Sequence, residues 1–154
     1  MGSDLEQLYQ QIILEHAKSR HGEGLQDAPS GTAAGESHQL NPTCGDEITL
    51  RAVVGGGTGN GARVEGISWE GQGCSISMAS ASVLTDLMAG MPRDEALDLV
   101  ENFRDVLRSR GSIEADEEVL GDAAAFSGVS RYPARVKCAM LAWVALEDAV
   151  KAAH

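Results

Sequence analysis

The stretch Asn41-Pro42-Thr43-Cys44-Gly45-Asp46 constrains this chain more than any other. It sets a thiol and a carboxylate two residues apart around a glycine. In an extended strand such neighbours share a face but are spread apart by the pleat. Gly45 allows a tight or left-handed turn instead, which folds the two groups towards one point. Pro42 stiffens the approach and biases Asn41 towards an extended conformation. A Cys and an Asp so placed supply half of a four-ligand metal site. The chain holds only two further cysteines, Cys74 and Cys138.

The elements around that turn follow from periodicity. Ser3 and Glu6 have capping-box spacing, and Leu5, Leu8, Tyr9, Ile12 and Ile13 then recur at helical intervals, predicting an amphipathic helix from residue 4 to about 18. Residues 19–37 are rich in Gly, Ser, Asp and Ala and read as a long, mobile surface loop, with a short strand over 36–41 leading into the Cys44 turn. From Ile48 the pattern alternates, Ile48, Leu50, Ala52 and Val54 on one face and Thr49, Arg51 and Val53 on the other. That predicts a half-buried strand, joined through the glycine loop 55–61 to a second strand at about 63–69 in a hairpin. Helices follow over 75–89, from Pro92 to the Gly111 stop, briefly near Val119–Phe126, and from Pro133 onward; residues 112–122 form an acidic linker. The expected fold is α+β: a small antiparallel sheet of about three strands with helices packed on one face.

At 154 residues the chain is expected to be one domain, 1–154, with 43% hydrophobic residues and no apolar run near the roughly 18 residues of a membrane span. Its start, Met1-Gly2-Ser3-Asp4, lacks the basic and apolar regions of a signal peptide, so the expected compartment is the cytoplasm. A formal net charge of -11 argues against nucleic acid and anionic membranes, which need a basic footprint, and suits docking on another protein. Three widely spaced cysteines fit no disulfide framework and point to a metal or to thiol chemistry.

Cys74 sits where a glycine-rich turn enters a helix, and Cys138 lies in the second turn of a helix opening at Pro133. Helix N-termini favour thiolate over thiol, and Arg131, Arg135 and Lys137 push Cys138 the same way. Three thiolates and the Asp46 carboxylate match the number and kinds of ligand in tetrahedral zinc sites. The same spacing also fits two small hydrophobes in the core and an aspartate that shapes a turn.

The stretches Asn-Pro-Thr-Cys-Gly-Asp at 41–46, Gly-Gln-Gly-Cys-Ser-Ile-Ser-Met-Ala-Ser-Ala-Ser at 71–82 and Arg-Tyr-Pro-Ala-Arg-Val-Lys-Cys-Ala at 131–139 together resemble the SufU branch of the IscU/NifU-like proteins of iron–sulfur cluster assembly. With Tyr9-Gln10-Gln11-Ile12-Ile13-Leu14 the resemblance covers nearly the whole chain. Two departures from IscU-type scaffolds point to that branch. Lys137 stands where they carry a His before the last cysteine, and the segment between Cys74 and Cys138 looks longer, with the extra length around 105–122.

The resemblance implies Zn²⁺ held by Cys44, Asp46, Cys74 and Cys138. It also implies that the chain takes persulfide sulfur from a SufS-type cysteine desulfurase and serves downstream iron–sulfur assembly proteins, as a co-substrate rather than a stand-alone enzyme. Cys44 is the expected acceptor, because a turn cysteine beside Gly45 swings out more cheaply than a helical one. Arg135, one turn before Cys138, is expected to steer the exchange or hold the partner's acidic groups. The alternatives are a scaffold building a [2Fe–2S] cluster on the same ligands and a structural zinc domain that mediates protein contacts only.

Other signals are weaker. Gly57-x-Gly59-x-x-Ala62 formally fits a dinucleotide fingerprint, but a strand rather than a helix is expected after it. His16 reads as a helix-face residue, His38 as a solvated strand residue, His154 as a frayed terminus, and none of His16, His21, His38 and His154 is placed as a catalytic partner for a cysteine. Arg104, Arg108 and Arg110 read as a solvated helix end, and Trp69 and Trp143 as core.

Overall fold

Alternation in Asp46–Gly55 and Arg63–Gln72 produces the two strands expected from it, and a third strand precedes them. The computed structural model describes residues 2–42, 45–56, 62–113 and 115–153, with side chains from Gln7 onward. Cys44, His154 and most of the 57–62 fingerprint lie outside the described residues. The order is α1 (Gly2–Ser19), β1 (Ala33–Asn41), β2 (Asp46–Gly55), β3 (Arg63–Gln72), α2 (Ser75–Met88), α3 (Arg93–Arg108), α4 (Glu117–Leu120), a 3₁₀ segment (Gly121–Arg131) and α5 (Pro133–Ala152). α1 begins at Gly2, so Ser3 lies within the helix instead of ahead of it.

The strands form an antiparallel sheet in the order β1-β2-β3. Asn41 pairs with Asp46 across the turn, and Leu50 pairs with Trp69 in the centre. Ile48, Leu50 and Ala52 of β2 and Ile67 and Trp69 of β3 share the buried face. Helix α5 covers that face along β1 and β2, and α2 lies between α5 and α1. Phe103 of α3 stacks on Trp143 of α5 at 3.9 Å between ring centroids, with Phe126 of the 3₁₀ segment edge-on to Phe103.

Three further sequence expectations need correction. Strand β1 starts at Ala33, so the loop is shorter than 19–37; alanine and glycine are poor strand formers. Tertiary packing overrides that preference, because a Cβ on Gly35 would lie 1.8 Å from the Ala149 carbonyl oxygen. Only glycine lets α5 lie this close on β1. The remaining loop is anchored and not free: Gly24 N–H donates to Trp69 O (2.7 Å), Trp69 N–H to Gly22 O (2.9 Å) and the indole N–H to His21 O (2.8 Å).

Arg104 is not part of a solvated helix end. Its side chain is 14% exposed and bonds Glu147 of α5 at 3.1 Å as well as Glu101, whereas Arg108 and Arg110 are exposed. His16 is buried between α1, α2 and the 3₁₀ segment instead of lying on an outer helix face. Trp69 and Trp143 are fully buried, as expected, and His38 sits in an exposed pair with Glu47.

Candidate metal centre

Asp46 opens β2 and is completely buried. A buried carboxylate must have partners, and it has several. The Cys74 backbone N–H donates to Oδ1 at 2.8 Å and the Ser77 hydroxyl to Oδ2 at 2.7 Å, while the Cys74 thiol lies 3.7 Å from Oδ2. Burial by itself would push the carboxyl up. Hydrogen bonds from Cys138, from Ser77 and from Cys74 outweigh it and hold Asp46 below the ordinary aspartate value.

Cys74 is the N-cap of α2, with extended backbone angles, and its side chain reaches the surface. It reaches Asp46 because Gly73 precedes it. A Cβ on Gly73 would lie 2.2 Å from Asp46 Oδ1, so no larger residue fits that approach. Cys138 is buried in α5, its Sγ 3.6 Å from Ala134 O and 3.9 Å from the amide nitrogen of Asn41.

Serines of α2 set α5 in register. The Ser77 oxygen, whose one proton goes to Asp46, lies 3.2 Å from Cys138 O, and Ser80 donates to Ala139 O at 2.6 Å, with the Trp143 indole N–H donating to Ser80 at 2.9 Å. Small hydroxyl side chains let the two helices approach closely while leaving no donor orphaned.

One ligand atom each of Asp46, Cys74 and Cys138 therefore lies within 4.8 Å of the other two. Residues 28 and 64 positions apart along the chain meet at the turn end of the β1–β2 hairpin, where Gly45, at φ +72°, closes the turn by donating to Asn41 O at 2.9 Å. Two sulfurs and one carboxylate oxygen suit a borderline-soft cation such as Zn²⁺, and a third thiol would complete a tetrahedron. Cys44 lies outside the described residues. Arg135 is exposed on the first turn of α5, and its guanidinium sits over the Tyr132 ring at 5.8 Å instead of bonding to Asp46, Cys74 or Cys138.

Sequence reasoning missed Ser77 and Asn41. Ser77 carries a faint signal, three residues beyond Cys74 and so in the same first turn of helix; Asn41 carries none beyond its place before Pro42.

The sequence matches the model of the NifU-like N terminal domain over residues 8–139. The chain belongs to this NifU-like family. Among its relatives, the Bacillus subtilis zinc-dependent sulfurtransferase SufU is 39% identical over 149 residues, covering 96% of this chain and 92% of the relative. The Streptococcus pyogenes iron–sulfur cluster assembly scaffold protein IscU is 37% identical over 150 residues, covering 97% and 86%. Among solved structures, the Fervidobacterium islandicum putative iron–sulfur cluster assembly scaffold protein for the SUF system superposes with a TM-score of 0.73 at 32% identity, covering 90% of this chain and 93% of that one. The Brucella abortus NifU-like N-terminal structure has a TM-score of 0.75 at 24% identity over 96% and 94%, a likeness of fold. The sheet with helices on one face is thus the NifU-like fold.

Proposed function

We propose that this NifU-like chain serves iron–sulfur cluster assembly as a zinc-dependent sulfur acceptor, with Cys44, Asp46, Cys74 and Cys138 holding Zn²⁺ and a SufS-type cysteine desulfurase as donor. The observation that carries this reading is the meeting of Asp46, Cys74 and Cys138 donor atoms within 4.8 Å at the tip that bears Cys44 in the sequence. The name of the Bacillus relative points the same way.

Bound zinc supplies a redox-inert positive charge that keeps cysteines deprotonated and protected from oxidation. The chain's own groups do the rest. Asp46, kept ionised by Ser77 and the Cys74 N–H, is the harder and more exchangeable ligand. Cys138, buried in α5, stays in place. Cys44, beside a flexible glycine, is the thiolate that leaves to react. It attacks the terminal sulfur of the desulfurase persulfide; a new S–S bond forms on Cys44, the old one breaks, and the desulfurase cysteine departs as thiolate. No net oxidation or reduction occurs. Arg135, exposed three residues before Cys138, is placed to meet acidic groups of the partner.

Mass spectrometry after incubation with desulfurase and cysteine is expected to find the extra sulfur on Cys44. Finding it on Cys138 overturns the assignment. A second reading, a [2Fe–2S] scaffold on the same ligands, draws on the relative named IscU. Metal analysis separates the two: colourless protein with one zinc at the cysteines supports the acceptor, and brown protein with iron and sulfide supports the scaffold.

A further inference from the structure

A second group of side chains with donor atoms suited to a metal lies towards the other end of α2. The chain leaves α1 at Ser19 and turns sharply, with Arg20 at φ +49° and Gly22 at φ +86°. A Cβ on Gly22 would meet Thr85 at 2.6 Å, so the turn is pressed onto α2. His21 is then fixed by its backbone on both sides. Its carbonyl accepts from the Trp69 indole, and its N–H donates to Ser82 Oγ at 3.0 Å. Five residues earlier, His16 points into the same space. Its Nδ1 is 2.8 Å from Ser82 Oγ and its Nε2 is 3.2 Å from Asp122 Oδ2. The two imidazoles stand edge to face, 5.4 Å between centroids. Asp86, one turn beyond Ser82 on α2, lies 2.6 Å from His21 Nδ1.

The bonding assigns the tautomer of His16. The Asp122 carboxylate can only accept, so a neutral His16 ring carries its proton on Nε2; Nδ1 is then an acceptor, and Ser82, which accepts the His21 N–H, turns its proton to it. A carboxylate holding one ring N–H leaves the other nitrogen's lone pair available to a metal, which is how metal-binding histidines are oriented. One ring nitrogen of His16, one of His21 and one Asp86 oxygen lie within 4.8 Å of one another. Arg20, between the two histidines in sequence, turns away to Glu23, Gly71 O and Met78 Sδ, so its guanidinium does not occupy the space.

We propose that His16, His21 and Asp86 form a second metal site, for a divalent d-block cation such as Zn²⁺. Two imidazoles and a carboxylate are a donor set that zinc accepts with water in the fourth position. Binding asks the Ser82 hydroxyl to rotate off Nδ1 and His21 and Asp86 to draw in. Those two side chains are 48% and 50% exposed and free to move, while His16 stays fixed by Asp122. The site is separate from the cysteines, since Ser82 is eight residues, about 12 Å, along α2 from Cys74. An ion there would tie the end of α1 to α2 and, through Asp122, to the 3₁₀ segment that leads to Pro133.

The test is isothermal titration with Zn²⁺ of the full chain whose cysteine site has first been loaded with zinc. The expected result is a second binding event. His21→Ala and Asp86→Ala each weaken it about ten-fold or more, and both exposed substitutions leave the melting curve of the unloaded protein in place. His38→Ala, at the other exposed His–carboxylate pair, leaves the event unchanged. Absence of a second event, its survival in the His21→Ala/Asp86→Ala double variant, or equal weakening by His38→Ala overturns the proposal. A chain that takes zinc only in a His21-dependent event supports this site while sinking the cysteine site.

Discussion

The Ser77 hydroxyl donates a 2.7 Å hydrogen bond to Oδ2 of Asp46 and also touches the Cys138 carbonyl at 3.2 Å, so one small side chain links a strand, α2 and α5 at the cysteines. Its loss leaves a fully buried carboxylate with fewer donors. A hydrogen bond to a charged group is worth about 1.5–3 kcal/mol. Ser77→Ala is expected to lower the stability of metal-free protein by roughly 2 kcal/mol in urea melts. Zinc affinity, read by competition with a chromophoric chelator, is expected to fall about 10–100-fold, as when a ligand loses its supporting partner. Unchanged affinity would remove Ser77 from the metal centre.

Gly73 tests whether the approach of Cys74 to Asp46 is sterically fixed. A Cβ there would stand 2.2 Å from Asp46 Oδ1, so Gly73→Ala must push the start of α2 off the hairpin. The expected cost is about 1–3 kcal/mol, the range for overpacking, together with weaker zinc binding. Gly128→Ala is the control, since nothing lies within 4 Å of the added methyl. Equal effects at the two positions would contradict the steric account.

The course of the chain and the site were legible to different degrees. The alternation at 48–54 and the apolar recurrence of Val136, Met140, Trp143 and Val144 after Pro133 marked the sheet and its covering helix, because burial on one face imposes a period on the sequence. Cys74, Cys138 and Asp46 could be grouped because thiols are few and their chemistry narrow. Ala33–Gly35 looked like loop because the force that makes it a strand is the close seat of α5, which no local pattern records. Ser77 was only faintly marked within a run of small residues, where a hydroxyl that bonds a carboxylate looks like one that merely fits. His16 was misplaced because its partners, Ser82 and Asp122, lie 66 and 106 residues away.

Arg104 was misread for the same reason, and its case can be measured. Its guanidinium is 14% exposed and Glu147 is 16% exposed, so the pair is largely withdrawn from water. Burial would favour the neutral form of the arginine, but the hydrogen bond and charge of Glu147, reinforced by Glu101, raise its pKa instead. Removing Arg104 leaves the largely buried Glu147 to the exposed Lys151, a longer contact at 3.9 Å. Arg104→Ala is expected to cost roughly 2–4 kcal/mol, somewhat less than a fully buried pair, whereas exposed Arg108→Ala stays within about 0.5 kcal/mol. Urea denaturation of both variants checks this, and similar losses would place Arg104 back among surface residues.

The ionisation of Asp46 predicts how metal-free protein responds to acid. Its folded pKa lies below the ordinary aspartate value of 3.8, because donors from Cys138, Ser77 and Cys74 favour the carboxylate more than burial opposes it. A group whose pKa falls on folding stabilises the native state at every pH above its unfolded value. That stabilisation drains away as the pH drops through the folded value, where both states bind the proton. Asp46→Asn cannot lose a charge and offers an amide where the Cys74 N–H and Ser77 hydroxyl need an acceptor. Wild type should therefore exceed Asp46→Asn by a constant margin in urea melts with chelator from neutral pH down to 3.8, and the margin should narrow below it. A margin that vanishes well above 3.8, or holds steady into stronger acid, means the buried carboxyl is not held as an anion by these donors.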